Sequence, residues 1–225
     1  MQSENGGPWT KIVDLIRVTP GPMVCLGKGN VASVLVGEWT SRTLVADRDF
    51  SSFFIDGEGI MRETWGSYLA PFHENKLIAD FETVEFREGS LGLIFVPELS
   101  LMKKEEGLNL LSRSKRWVRE GGVIVVRAFS FQDVRYKNFR AFGRFFAQES
   151  GPYVYKESEP GSIKVDPPLP CSQGCSHEYF AFFNPFEIRQ IFFGRFEEII
   201  AKEFSDLVDG NHFAFFIYVI QKVRR

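Results

Sequence analysis

Apolar residues along this chain follow two rhythms. One is the short unbroken run: Met23–Leu26, 43–46, 76–79, Leu91–Val96 and 123–126, the first four ended by Gly27, Asp47, Asp80 and Pro97. Such runs suit strands covered on both faces, because a strand with one wet face alternates apolar and polar residues. The other rhythm returns every third or fourth position. Trp9, Ile12, Val13 and Ile16 predict a short helix ended by Pro20-Gly21-Pro22, and Leu108, Leu111, Lys115 and Val118 predict one ended by Gly121-Gly122. Helices are also expected over 31–39 and around 64–69. Short strands alternating with helices predict an α/β protein with a mostly parallel sheet.

The pattern changes toward the end of the chain. Asn184-Pro185 followed by Glu187 supplies an N-cap, a proline suited to the first helical position and an acid placed to cap in return, so a helix is expected over 185–193. Residues 197–204 and 212–223 read as strands joined by a turn with Asp209-Gly210, and strands so joined pair antiparallel. Pro, Gly and Ser crowd 149–176, which predicts a long loop or lid. No internal repeat is visible. The expectation is a single domain over 1–225, with 1–8 as a loose polar leader.

Composition narrows the function classes. Twenty-seven Lys and Arg against 29 Asp and Glu leave a net charge of −2, which provides no general attraction to nucleic acid or to anionic membranes. The longest apolar run, 213–220, is far short of the roughly 20 residues of a spanning helix. No secretory signal is visible and three cysteines suit a reducing compartment, so a cytoplasmic protein with no membrane partner is expected. Phe stands out, with 24 against 6 Tyr and 4 Trp, and 17 of the 24 follow residue 112. That excess is expected to cover one side of the sheet, as packing or as a pocket for a flat or apolar ligand.

The sharpest local signal is Met23-Val24-Cys25-Leu26-Gly27-Lys28-Gly29-Asn30. Glycines between a strand and a helix let the backbone approach a ligand closely and leave helix N–H groups free to hold it. Asp47 stands 18 residues after Gly29, at the end of the next strand. A carboxylate there can accept both hydroxyl protons of a ribose, so a nucleotide-like ligand is expected over a purely structural turn.

At these residues the sequence resembles the class I S-adenosylmethionine-dependent methyltransferases, and the likeness covers nearly the whole chain. Their first motif reads approximately hydrophobic-Asp-hydrophobic-Gly-x-Gly-x-Gly, and Val24-Cys25-Leu26-Gly27-Lys28-Gly29-Asn30-Val31 occupies that frame. Asp47 matches the acid that holds the ribose, and Asp80-Phe81 matches the acid and neighbour that embrace the adenine. Leu93-Ile94-Phe95-Val96 matches the fourth strand, Gly121-Gly122 the entry to the fifth, and the closing helix, strand, turn and strand look like the sixth and seventh. The segment 180–222 is most similar to the small-molecule methyltransferases related to the tellurite-resistance group.

The resemblance implies a Rossmann-like, mostly parallel seven-stranded sheet with helices on both faces and an antiparallel final strand. It implies S-adenosylmethionine as cofactor, held by Gly27, Gly29, Asp47, Arg48, Asp80, Phe81 and Val96, and a small-molecule methyl acceptor. There are departures. Cys25 stands where the family has an acid, Val31 where it has a third glycine, and Gly92 near where many members carry an acid. A working enzyme with altered contacts, a different nucleotide ligand and a lapsed enzyme that only binds or scaffolds are all compatible with that loop. Glu98, after the fourth strand, reads either as facing the methyl or as an acid at a helix start.

Two further constellations carry chemistry. Cys171, Cys175 and His177 have the spacing of a zinc or metalloid site but leave a ligand unfilled, so free thiols are expected and no metal. Over 134–146 basic and aromatic residues alternate, which would suit an RNA-directed enzyme. Phe139, Phe142 and Phe146 nevertheless share one helical face, so packing is expected, with the arginines on the solvated side.

Overall fold

Every residue of Leu91–Val96 is buried, as its unbroken apolar run predicts for a central strand. The computed structural model describes residues 12–26 apart from 13 and 16, 43–47, 76–78, 81–146 apart from 82 and 98, 151–170, 176–208 and 211–223. For 43–47, 76–78, 206–208, 211 and 212 it describes the backbone alone. The helices expected over 31–39 and 64–69 lie outside these residues.

Strands β1 (Met23–Leu26), β2 (Thr43–Asp47), β3 (Lys76–Ile78), β4 (Leu91–Val96) and β5 (Val118–Ser130) run parallel in the order β3-β2-β1-β4-β5. Gly92 shows how closely β4 is packed at its start. Its N–H donates to the Pro22 carbonyl at 2.7 Å, and a Cβ there would lie 2.2 Å from the Pro20 oxygen. Only glycine fits, which accounts for one departure from the family pattern.

Beyond β5 the chain builds β6 (Val154–Glu159), β7 (Ser162–Pro170), β8 (Ser176–Phe183), β9 (Phe196–Val208) and β10 (Asn211–Lys222). β10 sits between β5 and β9, antiparallel to both, and completes the expected seven-stranded sheet. The other three strands depart from the expected loop over 149–176. β5 runs four residues beyond Val126, its last partner of β4, and β8 pairs with that extension through Phe129–Phe182 and Ser130–Phe183. β7 and β6 continue outward antiparallel, forming a roof on the side of β5 where β4 ends. Its prolines mislead a reading from composition. Pro167 and Pro168 fall between Lys164 and Leu169, where the β7–β8 ladder breaks register, so their missing N–H groups cost no ladder bond there.

Among the described residues, helices α1 (Lys104–Trp117), α2 (Val134–Phe142) and α3 (Pro185–Phe192) flank this frame. α1 opens with Glu105 and Glu106 and closes with Lys115 and Arg116, matching its dipole. α3 starts on a capping box: Asn184 Oδ1 accepts from the Phe186 N–H at 2.9 Å, and Glu187 accepts from the Asn184 N–H at 2.8 Å. Ile12, Asp14, Leu15, Arg17 and Val18 are helical, as the spacing predicts.

The phenylalanines do not all cover one side of the sheet. Phe183, Phe192 and Phe216 pack with α1 and α3 on one face, and Phe204, Phe215 and Ile12 lie on the other. Phe145, Phe180 and Phe182 form a third core inside the roof. α2 also differs from expectation. Arg135 is buried, Phe142 is 66% exposed, and the helix stops at Gly143 with φ of 70°, so Phe146 lies beyond it. Phe139 and Phe146 still pack against the roof core. Among the described residues no helix is long and apolar enough to cross a membrane.

Candidate functional site

The carboxyl ends of parallel strands are where an open α/β sheet presents ligands, since the chain turns away there and leaves a crevice. Register sets the geometry here. Cys25 pairs with Phe95 and Leu26 with Ala46, so β1, β2 and β4 end at nearly the same height. Asp47, the last residue of β2, lies one step above that level, opposite Ile78 of β3. Gly27 follows Leu26 in sequence, and Asp80 comes two residues after Ile78. The backbone thus brings the β2 acid and the strand exits before the glycines and Asp80 to one edge of the sheet. Gly27, Gly29, Arg48, Asp80 and Glu98 themselves lie outside the described residues, as does Val31.

Val96 ends β4 fully buried, and Phe81 is buried in the same apolar cluster as Val96 and Leu26. The segment that starts at Phe81 is held by Arg113 of α1. One guanidinium nitrogen donates to the Phe81 carbonyl, and another donates to the Val84 carbonyl at 2.7 Å. Arg113 carries no sequence signal for this role, because 29 residues separate it from Val84 and only the tertiary fold joins them. Cys25 is buried between the sheet and the helix that carries Ile12, in a layer with Phe95 and Ile217. That is an apolar environment, which explains why a thiol and not a carboxylate is tolerated there.

The exit of β4 is pinned to the roof. Leu99–Leu101 form one 3-10 turn, and Ser100 Oγ accepts from the Phe129 N–H at 2.6 Å. Lys104 opens α1 with a buried side chain, its ammonium donating to the Pro160 carbonyl at 2.9 Å and to Glu187 at 2.8 Å. The ammonium also lies over the rings of Phe131 and Phe183, at 5.0 and 5.5 Å. Its backbone N–H donates to Ser162 Oγ at 3.4 Å.

On the far side of the roof, Asp133 is fully buried and caps α2 by accepting from the Arg135 N–H. The Arg135 guanidinium donates twice to that carboxylate at 2.8 Å, and the Ala214 N–H adds a third element at 3.1 Å. Phe129 and Phe213 lie against the guanidinium at 4.0 and 4.9 Å. Nearby, Tyr136 donates to Glu157 at 3.3 Å; burial first, and then the Glu157 charge, push the phenol above its ordinary pKa. Arg140 meets the same Glu157 at 3.3 Å. Of the basic residues expected on a solvated face, Arg135 is therefore buried, while Arg140 is on the surface, 64% exposed.

Among the described residues no group of three or more His, Cys, Asp or Glu is arranged to hold a metal ion. Cys171 and Cys175 lie outside those residues. His177 pairs with Leu169 in the roof, its ring edge toward Phe180 at 6.1 Å.

No protein-family model matches the chain, and no curated protein matches it. Solved structures do. An S-adenosylmethionine-dependent methyltransferase from Clostridium acetobutylicum matches with a TM-score of 0.59 at 11% identity, over 97% of this chain and 93% of that one. One from Methanosarcina mazei matches with a TM-score of 0.57 at 14% identity, over 95% and 98%. The 1,6-didemethyltoxoflavin-N1-methyltransferase of Burkholderia thailandensis, solved with 1,6-didemethyltoxoflavin and S-adenosylhomocysteine bound, matches with a TM-score of 0.54 at 12% identity, over 96% and 77%. The chain has the fold of the class I S-adenosylmethionine-dependent methyltransferases, at 11 to 14% identity to these three.

Proposed function

We propose that this protein is an S-adenosylmethionine-dependent methyltransferase acting on a small-molecule acceptor, with the donor held across the ends of β1, β2 and β4. The observation that carries this reading is the strand order β3-β2-β1-β4-β5 closed by an antiparallel β10, with Asp47 beside the exit of β1. The chemistry of the groups fits. An acid at the end of β2 suits ribose hydroxyls, Gly27 and Gly29 allow close backbone approach, and the buried Phe81 and Val96 offer an apolar wall to the adenine. When bound, the cofactor supplies a methyl already activated by its sulfonium. The chain's part is then positioning: it orients donor and acceptor in line and keeps water out. Asp80 and Arg48 would complete the adenosine contacts.

A small acceptor is favoured over RNA because Arg135, in the middle of the basic stretch, is buried and bonded to Asp133. The Burkholderia enzyme, whose name specifies a small-molecule acceptor, supports the same choice. Titration calorimetry with S-adenosylhomocysteine and S-adenosylmethionine tests the donor site. Both should bind, and Asp47→Ala or Asp80→Ala should weaken each about tenfold, the worth of a hydrogen bond to a charged group. No heat from the folded protein would sink the donor claim; affinity indifferent to both substitutions would sink the placement.

A second reading follows from Cys25, which is buried in an apolar layer where the family has an acid. It is a protein that binds the cofactor without turnover. Release of S-adenosylhomocysteine with any of a panel of amine, hydroxyl and thiol acceptors decides against it.

A further inference from the structure

The structure assigns Lys104 a role beyond starting α1: we infer that it is a positioning residue for the donor site, clamping the exit of β4 to the β6–β8 roof. The inference rests on the proposed donor site. The described residues between Val96 and Lys104, 97 and 99–103, form the wall that runs from the end of β4 to α1. Ser100 fixes the middle of that wall to β5, and Leu99 is locked from below by Gly107, where a Cβ would come within 2.9 Å of the Leu99 side chain. Lys104 fixes the far end, and it does so toward two other elements at once.

Its ammonium bonds the Pro160 carbonyl in the β6–β7 turn and the Glu187 carboxylate at the start of α3. The side chain is only 4% exposed, so neither bond has water as a ready substitute. Glu187 in turn closes the α3 capping box, which holds its carboxylate in place without Lys104. The roof is therefore a fixed wall joined to the strand exit by the Lys104 ammonium, alongside the bond from the Lys104 N–H to Ser162 Oγ. Removing that cation leaves the far end of the segment held only by the backbone bond to Ser162, so it must be ordered further whenever a ligand binds at the end of β4, and ordering entropy subtracts from affinity.

The test is calorimetric titration with S-adenosylhomocysteine, read beside the melting temperature. Lys104→Met should weaken binding about fivefold through lost ordering, and Lys104→Arg, which keeps a cation, should restore it to within about twofold. Glu187→Gln, which preserves the capping geometry, should give a smaller loss in the same direction and covers the case of a Lys104→Met protein that does not fold. Trp117→Phe is the control for stability alone. It strikes the opposite end of α1, where the indole donates to Glu85 at 2.8 Å, and should lower the melting temperature with affinity unchanged. Unaltered affinity in Lys104→Met and Glu187→Gln, or an equal loss in Trp117→Phe, overturns the positioning role while leaving the donor site standing. Absence of binding in the unaltered protein overturns both.

Discussion

The two ends of β5 belong to differently built regions. Its lower half, with β4, is an aliphatic parallel core: Leu91, Leu93, Ile94, Val96 and Val123 to Val126 are nearly all fully buried beneath helices. Its upper end carries the roof, whose core is aromatic. Phe145 meets Phe180 edge-on at 5.0 Å and Tyr155 at 4.6 Å, and Arg135 lies among the rings of Phe129, Phe180, Phe182 and Phe213. The difference follows from what covers each. The parallel sheet has helices on both faces and can bury many small side chains. The roof is three short strands with α2 on one side, so it needs side chains of large area, and their π faces also accept a buried cation.

Breaking the roof should be the largest effect. Asp133→Ala leaves the Arg135 guanidinium buried without its carboxylate, and losing one partner of a buried pair costs about 3–5 kcal/mol. Hydrogen exchange should show protection lost in β6–β8 well before β1 and β4; uniform loss would mean that the two regions unfold as one. Gly92→Ala is the counterpart in the parallel core. Its Cβ cannot coexist with the Pro20 oxygen, so β4 must shift, at about 1–3 kcal/mol in denaturant unfolding. Protection should then fall in β1 and β4 first.

Asn184→Ala probes the junction, because α3 leaves the roof and packs Ile188 and Phe192 on the main core. Loss of the cap should cost about 1 kcal/mol and leave the donor affinity unchanged. The smallest effect is a pH dependence confined to the main sheet. Burial, and then the hydrogen bond to Glu198, push Tyr218 from 10.0 to about 12. A raised folded pKa means the contribution is intact below 10.0 and lost as pH climbs toward about 12, and Tyr218→Phe should flatten that slope. Glu198 works with the opposite sign. The hydrogen bond from Arg189 holds it below the usual carboxylate range, so its contribution is present above the unfolded pKa and fades as acid passes the lowered value. Arg189→Gln should remove that acid-side loss.

Much of this was legible from residues alone. The run Leu91–Val96 and the rhythm of Leu108, Leu111 and Lys115 mark β4 and α1, since burial on both faces or on one helical face leaves a trace in the sequence. But α1 stops at Trp117: Val118 opens β5, and Gly121-Gly122 lie within that strand instead of ending the helix. Asn184, Pro185 and Glu187 announced α3 because a capping box is local. The roof was not legible. Pro, Gly and Ser over 149–176 read as loop, and whether a ladder can pass over prolines depends on which partner bonds are missing. Arg135 looked like a solvated residue in a basic stretch, and its burial follows from Phe213 and Ala214, nearly eighty residues away. For the proposed donor site, the acid that ends β2 and the glycines after β1 could be named, while the Arg113 and Lys104 anchors could not.

The sequence by itself determined the class of fold and where its main strands and helices fall along the chain, because local periodicity and capping are read within one turn or one strand. It also located the Asp47 end of β2, a consequence of where an apolar run stops. Only the tertiary structure decided that the phenylalanines divide among three cores, that a supposed loop is a sheet, and that one lysine joins β4's exit to the roof. Those outcomes depend on burying charge and aromatic area between distant segments, and the free energy of such contacts has no periodic signature along the chain.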